Sequence, residues 1–417
     1  MLQSNTIISL LFLAAFIFIF IIWLSKKKFK NPKAIKTILF FSLLSFSASS
    51  AELIHHILKK NRLYADIKES PQVLGELIYK NHPLLFGNIL YIISSIKNNE
   101  KYLHYNENRS LNPSVKKEND GYSPTIILIL GESSYKGRYS AYGYKKLTTP
   151  NMQKIFATNN NGCIFNNAIS PAPITRDSLA ITLSFISSNN NDNLFNEKSI
   201  IDMAKGNAYQ TYWLSSQNIN GLYASKYGYI AKQSNIVKFS DWNDDVLPSM
   251  LDSVLDEKHN KKFIVIHLRG SHLPYSNFDS IDTNAIKSDD YDLTIHHTDR
   301  VINDIYRVTE QKEKSFVILY TSDHGEVVGE GHGLRKGKEQ YEIPLMSVSK
   351  KTQNDVCYLI ESYRNNKGYL NGNSNKYFIS ELIGYSVDSN SKQKSKEHNN
   401  ILTANEDIID FDDFKSI

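Results

Sequence analysis

Two stretches of this chain set acids and a histidine where a strand should stop. Phe316 to Leu319 is a short apolar, β-prone run, and Thr321-Ser322-Asp323-His324-Gly325 follows at once. In an open α/β sheet, ligands bind beyond the carboxyl ends of the strands. A carboxylate beside an imidazole at such a point offers oxygen and nitrogen ligands suited to zinc or manganese. Taken alone, Asp323 reads equally well as the N-cap of a following helix, with His324 on the surface. A second run, Thr125-Ile-Ile-Leu-Ile-Leu130, leads into Gly131-Glu132-Ser133, where the glycine permits a tight turn. Glu132, Asp323 and His324 together supply three ligands to one metal and leave a fourth position for a nucleophile or substrate.

Those residues need a scaffold, and the remaining patterns describe one. Short apolar runs at Thr125–Leu130, Gln210–Leu214, Lys262–His267, Phe316–Tyr320 and, more weakly, Leu345–Ser349 alternate with helical patterns. The fold class is therefore α/β, a mostly parallel sheet with helices on both faces, over residues 123–390. The 417 residues are 22% charged and carry a net charge of only +5, spread over loop lysines, so nucleic acid is not an expected partner.

Ahead of that domain, residues 1–60 read as a membrane anchor of two helices, at 7–24 and 37–58. No lysine or arginine precedes Ile7, whereas lysines crowd Lys26–Lys36; by the positive-inside rule that loop is cytoplasmic and the N-terminus faces outward. Leu84 to Ile96 suits an amphipathic helix lying on the bilayer, within a juxtamembrane and linker region spanning 61–122. Residues 391–417 read as a polar tail with an edge strand or a disordered end.

In order and spacing, several motifs resemble the membrane-anchored phosphoethanolamine transferases of the alkaline phosphatase and sulfatase superfamily. They are Gly131-Glu132-Ser133, Tyr142-Gly143-Tyr144, Thr148-Thr149-Pro150-Asn151, Thr175-Arg176-Asp177-Ser178-Leu179, Gly270-Ser271-His272-Leu273-Pro274-Tyr275, Ser322-Asp323-His324-Gly325-Glu326 and Gly331-His332-Gly333. The resemblance covers roughly residues 122–350. It implies an alkaline-phosphatase-like fold with Thr175 as nucleophile and fourth ligand beside Glu132, Asp323 and His324. It implies zinc as the cofactor, with manganese as the alternative, and His272 and His332 around the phosphate. It further implies phosphatidylethanolamine as donor, with lipid A, lipopolysaccharide core or another envelope glycan as acceptor. The location implied is the bacterial inner membrane, with the catalytic domain in the periplasm and a bundle of five membrane helices here shortened to two.

Outside the resemblance, Thr175 reads as a plain helix N-cap. A phosphoglycerol transferase would use the same metal and threonine. A sulfatase-type hydrolase needs a cysteine or serine four residues before an arginine, and Ala172 stands there before Arg176. A non-catalytic membrane scaffold would be expected to have lost a ligand, and all four are present.

The other tempting residues read as structural. His267 ends an apolar strand, His55-His56 is juxtamembrane polarity, His296-His297 lies on a helix face, and Leu214-Ser215-Ser216-Gln217 is a strand-end loop. Asp244 and Asp245 cap a helix or support the site from behind. Cys163 and Cys357 can pair in an oxidising periplasm, but nothing in their sequence separation requires it.

Overall fold

The computed structural model describes residues 92–93, 108–158, 161–186, 193–220, 224–405 and 407–416. The chain divides into two compact units, Met1–Asn98 and Asn99–Ile417, and the fold described here is that of the second. The expected spans at 7–24 and 37–58 lie outside the described residues, as does the 84–96 helix apart from the helical, exposed Ile92 and Ile93. No helix among the described residues is long and apolar enough to cross a membrane.

The scaffold is a seven-stranded sheet of β1 (Thr125–Gly131), β2 (Gly162–Ile164), β3 (Gln210–Ser215), β4 (Ile236–Phe239), β5 (Lys262–His267), β6 (Phe316–Ser322) and β7 (Leu345–Lys350). Its spatial order is β2-β7-β6-β1-β5-β3-β4. All neighbours are parallel from β6 across to β4, whereas β7 runs antiparallel to both β6 and β2. The five strand runs expected from the sequence all form, and the weakest becomes the antiparallel β7.

Helices α1 (Thr175–Leu183), α2 (Ile200–Gly206), α3 (Ser225–Ala231), α4 (Leu247–Leu255), α5 (Ser280–Ala285), α6 (Asp290–Lys312), α7 (Val356–Glu361), α8 (Asn375–Leu382) and α9 (Ser389–Glu397) surround the sheet. Because side chains alternate along a strand, Ile126, Leu128 and Leu130 of β1 pack with residues of α1, α2, α3, α7 and α8. Ile127 and Ile129 face the other way, into a second core with α4 and α6. A strand buried on both faces has no polar alternation, which is why β1 and β6 read as unbroken apolar runs.

Three features differ from expectation. Cys163 on the edge strand β2 is disulfide-bonded to Cys357 on α7, with Cα atoms 6.0 Å apart. Part of the expected linker, Val115–Lys117, pairs antiparallel with Tyr385–Val387 and buries Val115. The polar tail folds as α9 and a small hairpin, Asn400–Leu402 with Ile408–Asp410, and its Phe411 and Phe414 pack edge-on against the buried Tyr341.

Candidate active site

Register puts the two acid-bearing strand ends side by side. Strand β1 lies between β5 and β6, with Gly131 opposite Ser322, so Glu132 and Asp323 emerge together from adjacent strands. The Asp323 amide donates to the Gly131 carbonyl at 3.1 Å, extending the ladder by one step. Ser133 then turns with φ 54°, a conformation costly for a residue with a side chain; its Oγ donates to Glu132 Oε1 at 2.7 Å and its amide to Asp323 Oδ1 at 3.1 Å. Asp323 Oδ1 also accepts from the His324 amide at 2.7 Å and the Ser322 hydroxyl at 3.2 Å. Asp323 Oδ2 is buried and accepts no hydrogen bond.

The imidazole of His324 completes the set. Its Nδ1 lies 2.8 Å from the Gly325 carbonyl, so Nδ1 carries the proton and Nε2 is left with its lone pair. That Nε2 faces Asp323 Oδ2 at 3.1 Å, Glu132 Oε1 at 3.4 Å and Thr175 Oγ1 at 3.1 Å. Thr175, the first residue of α1, donates to Glu132 Oε2 at 3.2 Å. Its neighbours Ser170 and Ser178 are fully buried, and both donate to the Asp323 carbonyl, which ties the start of α1 to the end of β6.

Two carboxylates, an imidazole lone pair and a hydroxyl thus converge on one point in a buried site. Burial and the neighbouring Glu132 charge push the Asp323 carboxyl well above its usual range. Burial also pushes Glu132 up, but the positive charge that the imidazoles of His324, His272 and His332 carry when protonated, together with the Ser133 hydroxyl, brings it below. Two acids this close resist a second negative charge unless a cation joins them. The orphaned Asp323 Oδ2 and the unprotonated His324 Nε2 fit a mixed oxygen and nitrogen cation site of low coordination number, which suits zinc.

The other expected histidines stand at the rim of the same centre. His332 stacks obliquely on His324 with ring centroids 4.1 Å apart, and its Nδ1 is held by Glu326 Oε2 at 2.8 Å. The buried Glu326 also accepts from the Tyr275 hydroxyl at 2.7 Å, so one carboxylate joins the loop bearing His332 to the loop bearing His272. His272 directs Nδ1 to the Leu273 carbonyl at 2.6 Å and meets Trp242 edge-on at 5.3 Å.

Residues outside the proposed ligand set also belong to this assembly, among them Asp244, one of whose two expected roles was to support the site from behind. Gln217 is not merely in a strand-end loop: its amide donates to Glu132 Oε2 at 3.0 Å and to the Leu268 carbonyl at 2.7 Å. Asp244 is a buried acceptor for the Arg269 and Gly270 amides at 2.8 and 3.0 Å, for Asn277 Nδ2 at 2.7 Å, and for the Ser216 hydroxyl. It therefore clamps the loop that presents His272. Gly270 in that loop lies so close to Glu132 that a Cβ would stand 2.9 Å from the Glu132 carbonyl oxygen, and only glycine fits. His267 is structural: it is fully buried, sits 3.1 Å from Gln217 Nε2, and burial pushes its pKa down to about 4. His296 and His297 are not an open helix face; both are buried against Asp282 of α5.

The chain belongs to the sulfatase family, whose model matches residues 124–385. Its curated relatives include phosphoethanolamine transferases. It is 28% identical over 251 residues to phosphoethanolamine transferase EptC of Escherichia coli, covering 54% of this chain and 43% of the relative. It is 29% identical over 252 residues to phosphoethanolamine transferase EptA of Helicobacter pylori, covering 53% of this chain and 47% of the relative. The chain thus spans about half the length of the curated relatives it matches. Among solved structures, the C-terminal periplasmic domain of Escherichia coli EptC in complex with zinc superposes with a TM-score of 0.63 at 22% identity, covering 73% of this chain and 98% of that one. The integral membrane protein EptA of Neisseria meningitidis gives 0.53 at 18% identity, over 89% of this chain and 73% of that one. At these identities the likeness to the solved structures establishes the alkaline-phosphatase-like fold alone.

Proposed function

We propose that this chain is a zinc-dependent phosphoethanolamine transferase that takes the headgroup from phosphatidylethanolamine onto Thr175. Thr175 then passes it to lipid A, lipopolysaccharide core or another envelope glycan. The observation that carries the reading is the convergence of Thr175 Oγ1 with Glu132, Asp323 and the lone pair of His324 Nε2, in a chain whose relatives include phosphoethanolamine transferases. A divalent cation bound by those four residues supplies a Lewis acid that eases ionisation of the threonine hydroxyl.

The remaining steps fall to the chain's own side chains. Thr175 passes its proton to Glu132 Oε2, to which it is already hydrogen-bonded, and attacks phosphorus; the new Oγ1–P bond forms as the bond from phosphorus to the diacylglycerol oxygen breaks. In the second transfer the acceptor oxygen attacks phosphorus as Oγ1 leaves and takes its proton back from Glu132. A phosphate held at Thr175 would lie at the N-terminal, positive end of the α1 dipole. His332, whose Nδ1 is held by Glu326, gives a proton from Nε2 to the leaving glycerol oxygen and later takes one from the acceptor hydroxyl. His272 donates to the phosphoryl oxygens.

Thr175→Ala is expected to abolish transfer with the fold intact: Ile174, not Thr175, is the N-cap of α1, so the hydroxyl caps nothing and its loss removes one hydrogen bond worth about 1 kcal/mol. Thr175→Ser retains part of the activity. Wild-type protein given donor without acceptor is expected to carry a phosphoethanolamine mass on the Thr175 peptide. A phosphoglycerol mass would reassign the donor, and normal turnover by the alanine variant would discard the threonine mechanism.

A further inference from the structure

Away from the catalytic centre, a cavity of about 360 Å³ opens between α8, α9, the Asn400–Leu402 strand and the far end of α1. Its charged and titratable lining groups are Lys376, Tyr377, Lys394 and His398, and among the described residues no carboxylate lines it. Ser391, Lys394 and Ser395 follow one another at helical spacing, so α9 presents all three residues to the same space. Across from them stands Ile181, on the same helix that begins with Thr175.

Lys376 is the anomaly. Its side chain is buried, with 7% of the residue exposed, yet its ammonium makes one long hydrogen bond, 3.4 Å to the Ile186 carbonyl, and rests 5.8 Å from the Tyr377 ring. Glu381 on the same helix is taken by Lys392 and Tyr363, and Glu197 acts on Lys376 only from a distance. Burial pushes its pKa down to about 8 against the opposing pull of Glu197, and among the described residues no carboxylate is bonded to the ammonium. A buried ammonium carries three donors, and here a single weak acceptor is supplied.

We infer that this cavity is an anion site that takes a phosphate monoester, with Lys376 at its base and Lys394 and His398 as further donors. Charge and volume agree: the lining carries two ammonium groups and an imidazole, the Asp388 carboxylate beside it is held by Ser391 at the start of α9, and the space exceeds that of a bare phosphate. The site is separate from the metal-ligating residues, and its occupancy can be read without turnover.

The test uses full-length protein stripped of metal with a chelator, so that phosphate has no cation to bind at Asp323 and His324. Isothermal titration calorimetry with inorganic phosphate is expected to show one site per chain. Lys376→Met should weaken it by at least about tenfold, the scale of one charge-assisted hydrogen bond. Replacing a desolvated ammonium by a side chain of similar volume leaves the melting temperature unchanged or higher, which separates lost binding from lost folding. The rim variant Lys394→Ser should weaken binding a few-fold. Glucose 1-phosphate binding at least as tightly as phosphate would assign the site to a glycan-borne phosphate, and preference for inorganic phosphate would assign it to the free anion. Equal affinity in the Lys376→Met variant, or phosphate binding seen only when metal is present, overturns the inference.

Discussion

Two clusters in this molecule are built from the same side chains, and they are opposite in charge balance. On the outer wall, Asp282 of α5 meets His296 and His297 of α6 at 2.7 and 3.3 Å, and Arg300 reaches both of its oxygens at 2.9 and 3.0 Å. At the strand ends, Glu132 and Asp323 meet His324, and Asp323 Oδ2 accepts nothing. By proximity alone both qualify as metal sites, because Asp279, Asp282 and His297 lie as close to one another as Glu132, Asp323 and His324 do. Electrostatics separates them. Although burial pushes Asp282 up, its imidazole and guanidinium partners hold it well below the usual carboxylate range, whereas burial and Glu132 hold Asp323 well above it. In the outer cluster the cation is a covalent part of the chain; at the strand ends the proposed zinc would supply it.

Paired substitutions put that contrast to its hardest test. Asp323→Asn is expected to remove bound zinc and cut transfer by about a thousandfold or more, since it deletes a ligand and the electrostatic stabilisation that depends on it. Asp282→Asn should leave zinc content unchanged and cost about 3 kcal/mol of stability in urea unfolding, because it strands a buried imidazole and a guanidinium. If the Asp282 variant loses metal while the Asp323 variant keeps it, the two clusters have been assigned the wrong way round.

His267 sharpens the comparison, because it is an imidazole with neither an arginine nor a carboxylate against it. Burial lowers its folded pKa from 6.5 to about 4, so the folded protein keeps it neutral while the unfolded chain takes up a proton below pH 6.5. Its contribution is therefore fully present above about pH 6.5 and is lost as pH falls toward 4, by about 3 kcal/mol over the whole window. Urea unfolding of wild type and His267→Phe across that range checks this: the variant should show a flatter acid limb. Parallel slopes would mean that other groups carry the acid sensitivity.

What the sequence disclosed was whatever depends on local order. The unbroken apolar runs of β1 and β6 announced a sheet buried on both faces, and an acid directly after each run located Glu132 and Asp323. Asp244 was legible as a helix cap or a support behind the site, and Gln217 only as a loop residue; which role each takes depends on register. Only when Ser215 lies opposite His267 and His267 opposite Leu130 do the loops after β3 and β5 fall beside Glu132. The Cys163–Cys357 bond depends likewise on an edge strand, β2, pairing with β7 shortly before α7 begins. The last segment was misread because its lysines, serines and acids mask the two aromatic side chains, Phe411 and Phe414, that dock it. The pairing of His296 and His297 with Asp282 was hidden for the same reason as Gln217: α5 and α6 are separate elements brought together by packing.

The smallest effect belongs to Glu326, which decides whether the rim of the strand-end cluster is itself a cation site. Glu326, His324 and His332 also offer ligand atoms close enough to share an ion. Against that, both Glu326 oxygens are already engaged, one by Tyr275 and one by His332 Nδ1, so the carboxylate acts as an orienting group. Glu326→Gln keeps the size and one acceptor. The Tyr275 hydroxyl can rotate to accept from the new amide, which leaves the amide oxygen for His332. What is lost is the negative charge beside the imidazole, and with it some of the stabilisation of the protonated ring during proton transfer. A positioning role predicts that kcat falls by about tenfold, or about 1.4 kcal/mol, with KM and zinc content little changed. A ligand role predicts instead that one equivalent of metal is lost together with activity. Metal analysis of the purified variant alongside its kcat and KM separates the two, and loss of metal would extend the cation-deficient region from the strand ends out to the rim.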